Sequence, residues 1–132
     1  MTKGEAGKAV LVTGASSGIG HASALMLAEH GFRVFAAARS TGKLRDLATR
    51  GAGRITPIAL DVTSAGSIAA AMQAVKESGD QLYGLVNNAG ISVTGPVEET
   101  SVDVWRRQFE TNVFGVVAMT QAVLPAMRAA HE

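Results

Sequence analysis

Short runs of β-branched and aliphatic residues alternate along this chain with longer segments in which apolar residues recur every three or four positions. The runs "AVLVTG", "FRVFAAA", "RITPIAL" and "LYGLVNNAG" begin roughly 20 to 28 residues apart, and each has the length and composition of a strand. After Gly18, residues Ile19, Ala22 and Met26 share one helical face until Gly31, and "TGKLRDLATRG" carries Leu44, Leu47 and Ala48 before Gly51. Both glycines are expected just past a helix end, where a left-handed residue closes the last turn. "SAGSIAAAMQAVKESG" predicts a third helix, with Ser64 as its cap, Ile68, Met72 and Val75 as its apolar stripe and Gly79 as terminator. A fourth helical region follows "NNAG". Thr100 and Asp103 have the spacing of a capping box at its start, a break is expected near Thr111, and Pro125 is expected to kink its end.

Strands apolar on both faces, each followed by a helix, imply a parallel sheet covered on both sides, because right-handed crossovers place one helix on each connection. The fold class expected is α/β, a Rossmann-like doubly wound sheet with strand order 3-2-1-4. No linker, repeat or low-complexity tract divides residues 1–132, so one domain is expected.

The stretch "TGASSGIG" stands where the first strand hands over to the first helix. A helix start leaves unpaired N–H groups aimed at one point, with the positive end of the helix dipole behind them, and such a point binds phosphate. Gly14 suits a turn closed to L-residues, while Gly18 and Gly20, flanking Ile19, remove side chains that would hold a pyrophosphate away and the helix off the strand. Thr13, Ser16 and Ser17 add hydroxyl donors. An ordinary tight turn needs only one glycine. His21 stands where a P-loop requires lysine, which excludes that motif. An acid about 20 residues beyond the glycines would hold the ribose of NAD. None lies between Glu29 and Asp46, and Arg39 instead offers a cation for a 2′-phosphate, unless it is a solvated surface arginine. One charge-assisted contact contributes about 1.5–3 kcal/mol, hence a preference for NADP over NAD of roughly ten- to a hundredfold.

The glycine spacing, "DVT" at Asp61, "NNAG" at Asn87 and "TNVFG" at Thr111, in that order, resemble the short-chain dehydrogenase/reductase family from Lys8 onward. The resemblance implies that Asp61 bonds the adenine amino group and Val62 meets the ring through its backbone; capping the next helix is the competing role for Asp61. It implies that Asn88, Ala89 and Gly90 brace the first strand through Thr13 and line the nicotinamide, against a plain surface turn. For Asn112 it implies a place in the water relay of the active site, against a satisfied amide at a helix break. The family's Tyr-x-x-x-Lys and upstream serine find no counterpart here: Asn87 stands four residues after Tyr83, the sole tyrosine. Tyr83 is expected just before the fourth strand as a packing or edge residue, His21 on a helix surface, and Trp105 and Met119 in packing. The resemblance therefore spans the first half of a family domain. On that expectation the fourth strand and the helix surface at Val113, Val116, Val117 and Val123 are left unpaired, and the chain dimerises or folds poorly.

Composition narrows the partners. With 12 Lys and Arg against 11 Asp and Glu, scattered, there is no basic stripe for nucleic acid. The chain has no cysteine, its three histidines form no ligand cluster, and no metal site is expected; a reducing, cytoplasmic setting fits. "MTKGEAGK" lacks the apolar core of a secretory leader, and no stretch is long enough to span a membrane. The function expected is the cofactor-binding portion of an NADP-dependent oxidoreductase, a homo-oligomer, acting on an alcohol/carbonyl pair in a small, steroid- or retinol-like molecule. Only "ISVTGPVEETS" is placed to touch that substrate. The alternative is an NADP(H)-binding module or remnant without turnover. A flavodoxin-like regulatory domain would need an acid cluster at the strand ends, which is not seen.

Overall fold

A computed structural model describes residues 7–130; residues 1–6 and 131–132, with them His131 and most of the opening segment, lie outside the described residues. Strands β1 (Lys8–Val12), β2 (Arg33–Ala38), β3 (Ile55–Ala59) and β4 (Gln81–Val86) form one parallel sheet in the order β3-β2-β1-β4. Alternate strand residues feed two cores. Val10, Val12, Val34, Ala36 and Ile55 pack beneath helices α1 (Gly18–Glu29) and α2 (Leu44–Arg50). Ala9, Leu11, Phe35, Ile58 and Leu82 pack beneath α3 (Ala65–Ser78) and α5 (Gly115–Ala129). Because all four strands run parallel, the ends that carry the loops lie along one edge of the sheet.

The expected elements are present, with corrections in how they are built. On α1 the buried face is Gly20, Ala24 and Ala28, whereas Ile19 is 78% and Met26 61% exposed. The stripe read from Ile19, Ala22 and Met26 is thus the outer one: small side chains bring this helix close to the sheet, and closeness decides the face. Gly31, at φ +96, closes α1 as expected, with its N–H on Ala28 and that of Phe32 on Leu27. Gly51 does not take that role. It keeps φ −79, the left-handed residues are Ala52 and Gly53, and Gly51 lacks a side chain because a Cβ there would run into Ile55. Ser64 caps α3, accepting from the Ser67 N–H, and Gly79 at φ +77 ends it.

The fourth helical region is capped by Ser101, which accepts from the Val104 N–H, not by Thr100, whose hydroxyl donates to the Pro96 carbonyl. Helix α4 (Val102–Phe109) passes through a π-helical turn (Glu110–Phe114) straight into α5, so the break expected near Thr111 is one widened turn. Pro125 lies inside α5, near its end at Ala129. Tyr83 is within β4 rather than before it. Register passes from Ala9↔Leu82 to Val10↔Gly84, leaving Tyr83 as the extra residue of a bulge. Its ring stacks on Phe32 at 6.0 Å and lies under the Lys8 ammonium at 4.2 Å. Met119 is buried as expected, but Trp105 is 42% exposed, and Val123 belongs to the core rather than to the outer surface.

Candidate nucleotide site

The loops after the four strands enclose a cleft of about 740 Å3. One wall is the β1–α1 turn, contributing Thr13, Gly14, Ser16 and Ser17. Gly14 has φ +61, and a Cβ there would lie 2.9 Å from the Ala89 Cα, so a side chain is barred both by conformation and by the β4 loop. Gly18, at φ +58, faces open space, and Gly20 lies so close to the Gly14 carbonyl and the Asn88 amide that a Cβ would collide with both. Gly18, Ile19 and Gly20 begin α1 at the end of this wall and are not among the lining residues. Ser17 is extended and its hydroxyl makes no capping bond. The turn therefore presents a bare helix start with a free hydroxyl before it, which fits a phosphate group.

Thr13 departs from its expected role as a phosphate donor. Its hydroxyl is buried, accepts from the N–H groups of Asn88 at 3.0 Å and Ala89 at 2.9 Å, and donates toward the Val86 carbonyl at 3.4 Å. The Asn88 amide donates to the Gly14 carbonyl at 3.0 Å. These bonds tie the ends of β1 and β4 together, the bracing that the resemblance implies. Asn88, Ala89, Gly90 and Ile91 line the cleft beyond them.

At the opposite end stand Arg39, after β2, and Asp61, Val62 and Thr63, after β3. Asp61 does not cap α3. One carboxylate oxygen accepts from the Thr63 hydroxyl at 2.6 Å and from the Thr63 N–H at 2.9 Å, while the Asp61 N–H donates to Ser67 Oγ at 2.8 Å. The Thr63 hydroxyl, then the Thr63 N–H, and to a smaller degree the charge of Arg39 hold the Asp61 pKa below its ordinary value, against a small opposing effect of burial. The carboxylate is thus kept ionised, and among the described residues no bond engages its second oxygen.

Asn112 sits in the π turn, outside the cleft lining. Its Oδ1 accepts from the Ile91 N–H at 2.8 Å and its Nδ2 donates to the Ile91 carbonyl at 2.7 Å. It is exposed, so it is not a core amide; it pins the loop after β4 by both backbone groups of one residue. Arg107, Glu110 and Thr111 also line the cleft, and sequence reasoning missed them. Their i, i+3, i+4 spacing marks a shared face, but which way that face turns depends on how the helix crosses the sheet. Gly115 decides that crossing: a Cβ there would come 2.7 Å from Val62, so the start of α5 lies directly on the β3 loop. Among the described residues no group of acids and histidines is placed to hold a metal, and no helix is long and apolar enough to cross a membrane.

The model of the short chain dehydrogenase family matches residues 8–132. The chain is 41% identical over 125 residues to the short-chain dehydrogenase anuI of Penicillium roqueforti, covering 91% of this chain and 50% of that protein. It resembles a metagenomic short-chain oxidoreductase solved with NADP (TM-score 0.88, 33% identity, 95% of this chain and 58% of that one). It also resembles the 3-ketoacyl-(acyl-carrier-protein) reductase of Brucella melitensis solved with NADH (TM-score 0.87, 30% identity, 92% and 50%). The chain spans about half or less of the length of the curated relatives it matches. Family members act on small molecules and typically form oligomers. A glycine turn over a bare helix start, a β1–β4 brace through Thr13 and a family match running from β1 through α5 agree, and the chain belongs to the short chain dehydrogenase family, whose members are NAD(P)-binding oxidoreductases.

Proposed function

We propose that these residues bind NADP(H) as the cofactor-binding portion of an oxidoreductase acting on the alcohol/carbonyl pair of a small organic molecule. The observation that carries the preference for NADP is the end of β2, where Arg39 lines the cleft and no carboxylate follows the strand before Asp46. A 2′-phosphate there meets a cation; an acid would repel it. The backbone of Gly14 to Gly20, with the Ser16 and Ser17 hydroxyls, takes the diphosphate at the start of α1. Asp61 and the Val62 backbone take the adenine, and Asn88, Ala89 and Gly90 line the nicotinamide end. Bound there, the nicotinamide supplies or accepts the hydride. Asn112 holds the Ile91 backbone beside that end and, through it, the position of the loop that follows. A cytoplasmic homo-oligomer is the setting in which we place the protein.

A second reading, an NADP(H)-binding module without turnover, is favoured by the position of Tyr83. Tyr83 lies in β4, stacked on Phe32 and under the Lys8 ammonium, and is not among the cleft-lining residues, so it is not placed to protonate a nascent alkoxide there. Fluorescence titration with NADPH and NADH, followed by a panel of carbonyl substrates, tests both. NADPH is expected to bind roughly ten- to a hundredfold tighter than NADH, with the margin lost in Arg39→Ala. Equal affinities in the native protein would overturn the NADP assignment, and binding without oxidation of NADPH would favour the module.

A further inference from the structure

We infer that Arg107 is a second nucleotide-binding cation, which holds the adenosine half of the dinucleotide from the α4 side of the cleft. The inference rests on the reading above that the cleft takes a dinucleotide, and adds a residue that neither the glycine turn nor the ends of the strands supply.

Three observations place it. Arg107 lines the cleft together with Glu110 and Thr111, one helical turn further along the same face. The absence of a side chain at Gly115 lets the beginning of α5 settle on Val62, and that packing swings the α4 face over the loop carrying Asp61, Val62 and Thr63. Val62, Thr63 and Glu110 also border together the apolar groove between α3 and α5, so these two walls meet at that end. The cleft is thus closed at its adenosine end by the β3 loop on one side and α4 on the other.

The guanidinium itself is available. Arg106, its neighbour, is held by Asp103 at 3.3 Å, but among the described residues no acid lies within ion-pair distance of Arg107. An exposed arginine whose cation has no partner and whose face is turned to a pocket suits a planar, electron-rich base or the ribose–phosphate next to it. Arg39 follows β2, where the reading above puts the 2′-phosphate; Arg107 comes from α4 and meets what NAD and NADP have in common. The two arginines therefore divide the work: one discriminates between the dinucleotides and the other binds both.

That division is measurable in the full chain by titrating NADPH, NADH and 5′-AMP into four proteins. Arg107→Ala is expected to weaken NADPH and NADH by a similar factor of about ten, and AMP in proportion, leaving their ratio intact. Arg39→Ala should lower NADPH alone. Arg106→Ala, which removes the same charge from the adjacent position, should bind as the native protein does. Circular dichroism melts check that each variant folds, which their exposed positions favour. If native protein binds NADPH but Arg107→Ala binds within twofold of it, the role of Arg107 falls while the nucleotide reading stands. Loss confined to NADPH, or an equal loss in Arg106→Ala, overturns it as well, the first by giving Arg107 the 2′-phosphate and the second by reducing it to net charge. If native protein binds none of the three ligands, both readings fall together.

Discussion

At the scale of single residues, the site is organised by groups that do not touch a ligand. Thr13 is buried and its hydroxyl serves two N–H groups of the β4 loop. Thr13→Val keeps the shape and strands both donors, so a loss of about 1–3 kcal/mol is expected in denaturant unfolding, while Thr13→Ser should stay close to native. A valine variant as stable as the native protein would show that the brace is dispensable. Gly14 and Gly18 share positive φ but not surroundings. Gly14→Ala adds a clash with Ala89 to the conformational cost and should lose about 2 kcal/mol or more. Gly18→Ala carries only the conformational cost, about 1–2 kcal/mol, because a methyl there meets open space; if the diphosphate sits at the start of α1 as proposed, the change should damage nucleotide binding more than folding. Asp61 adds a pH dependence with a definite sign. Its folded-state pKa lies below the ordinary value of 3.8, so its contribution is fully present above that value and is lost as pH falls through the lower, folded-state one. Carboxyl NMR titration should find its midpoint under 3.8, moving upward in Thr63→Val, which removes the largest cause. An unmoved midpoint would mean that the Thr63 hydroxyl does not hold the charge.

At the scale of elements, the glycine-bounded rhythm of apolar runs made the sheet order readable, because a parallel α/β chain leaves few ways to cross over. The face of α1 was not readable in the same way. Its pattern ranks Ile19 and Met26 as the apolar stripe, but what packs on the sheet is the Gly20, Ala24, Ala28 row, whose small size permits close approach. Ala24→Leu is therefore expected to cost about 1–3 kcal/mol by lifting the helix, whereas Met26→Ala on the outer face should change stability by about 0.5 kcal/mol or less. Thermal melts of the pair decide it, and the reverse order would restore the stripe that the sequence suggests. The start of α4 shows a similar limit. Thr100 and Ser101 are both capping residues by type, and only the bond from Thr100 to Pro96, a loop contact, leaves the task to Ser101. Site residues split along the same line. Gly14, Asp61 and Asn88 follow strands and are fixed by motif, while Arg107, Glu110 and Thr111 reach the cleft through the crossing angle of a helix, which no local pattern encodes.

At the scale of the whole molecule, the sheet has β4 at one edge, and the helix beside it carries apolar side chains into solvent. Phe114 is 57% exposed, and Val113 and Val117 lie on the same outer surface, whereas Met119 and Val123 on the opposite face of α5 are buried in the core. The sequence pointed to this surface through a valine series, and the structure divides that series into an inner and an outer set. An exposed apolar row of this kind drives association. We therefore expect the protein to self-associate through the outer set, and charge placed there should oppose it without harming the fold. In sedimentation, native protein should show a concentration-dependent oligomer, and Val117→Asp should weaken it by about tenfold or more, the equivalent of losing roughly 1.4 kcal/mol at the interface. Val123→Asp serves as the contrast: a charge buried without a partner should abolish the cooperative melt itself. A native protein that stays monomeric at every concentration, or a Val117→Asp variant that associates as tightly as native, would remove this surface from any interface and leave its exposed valines without a role in assembly.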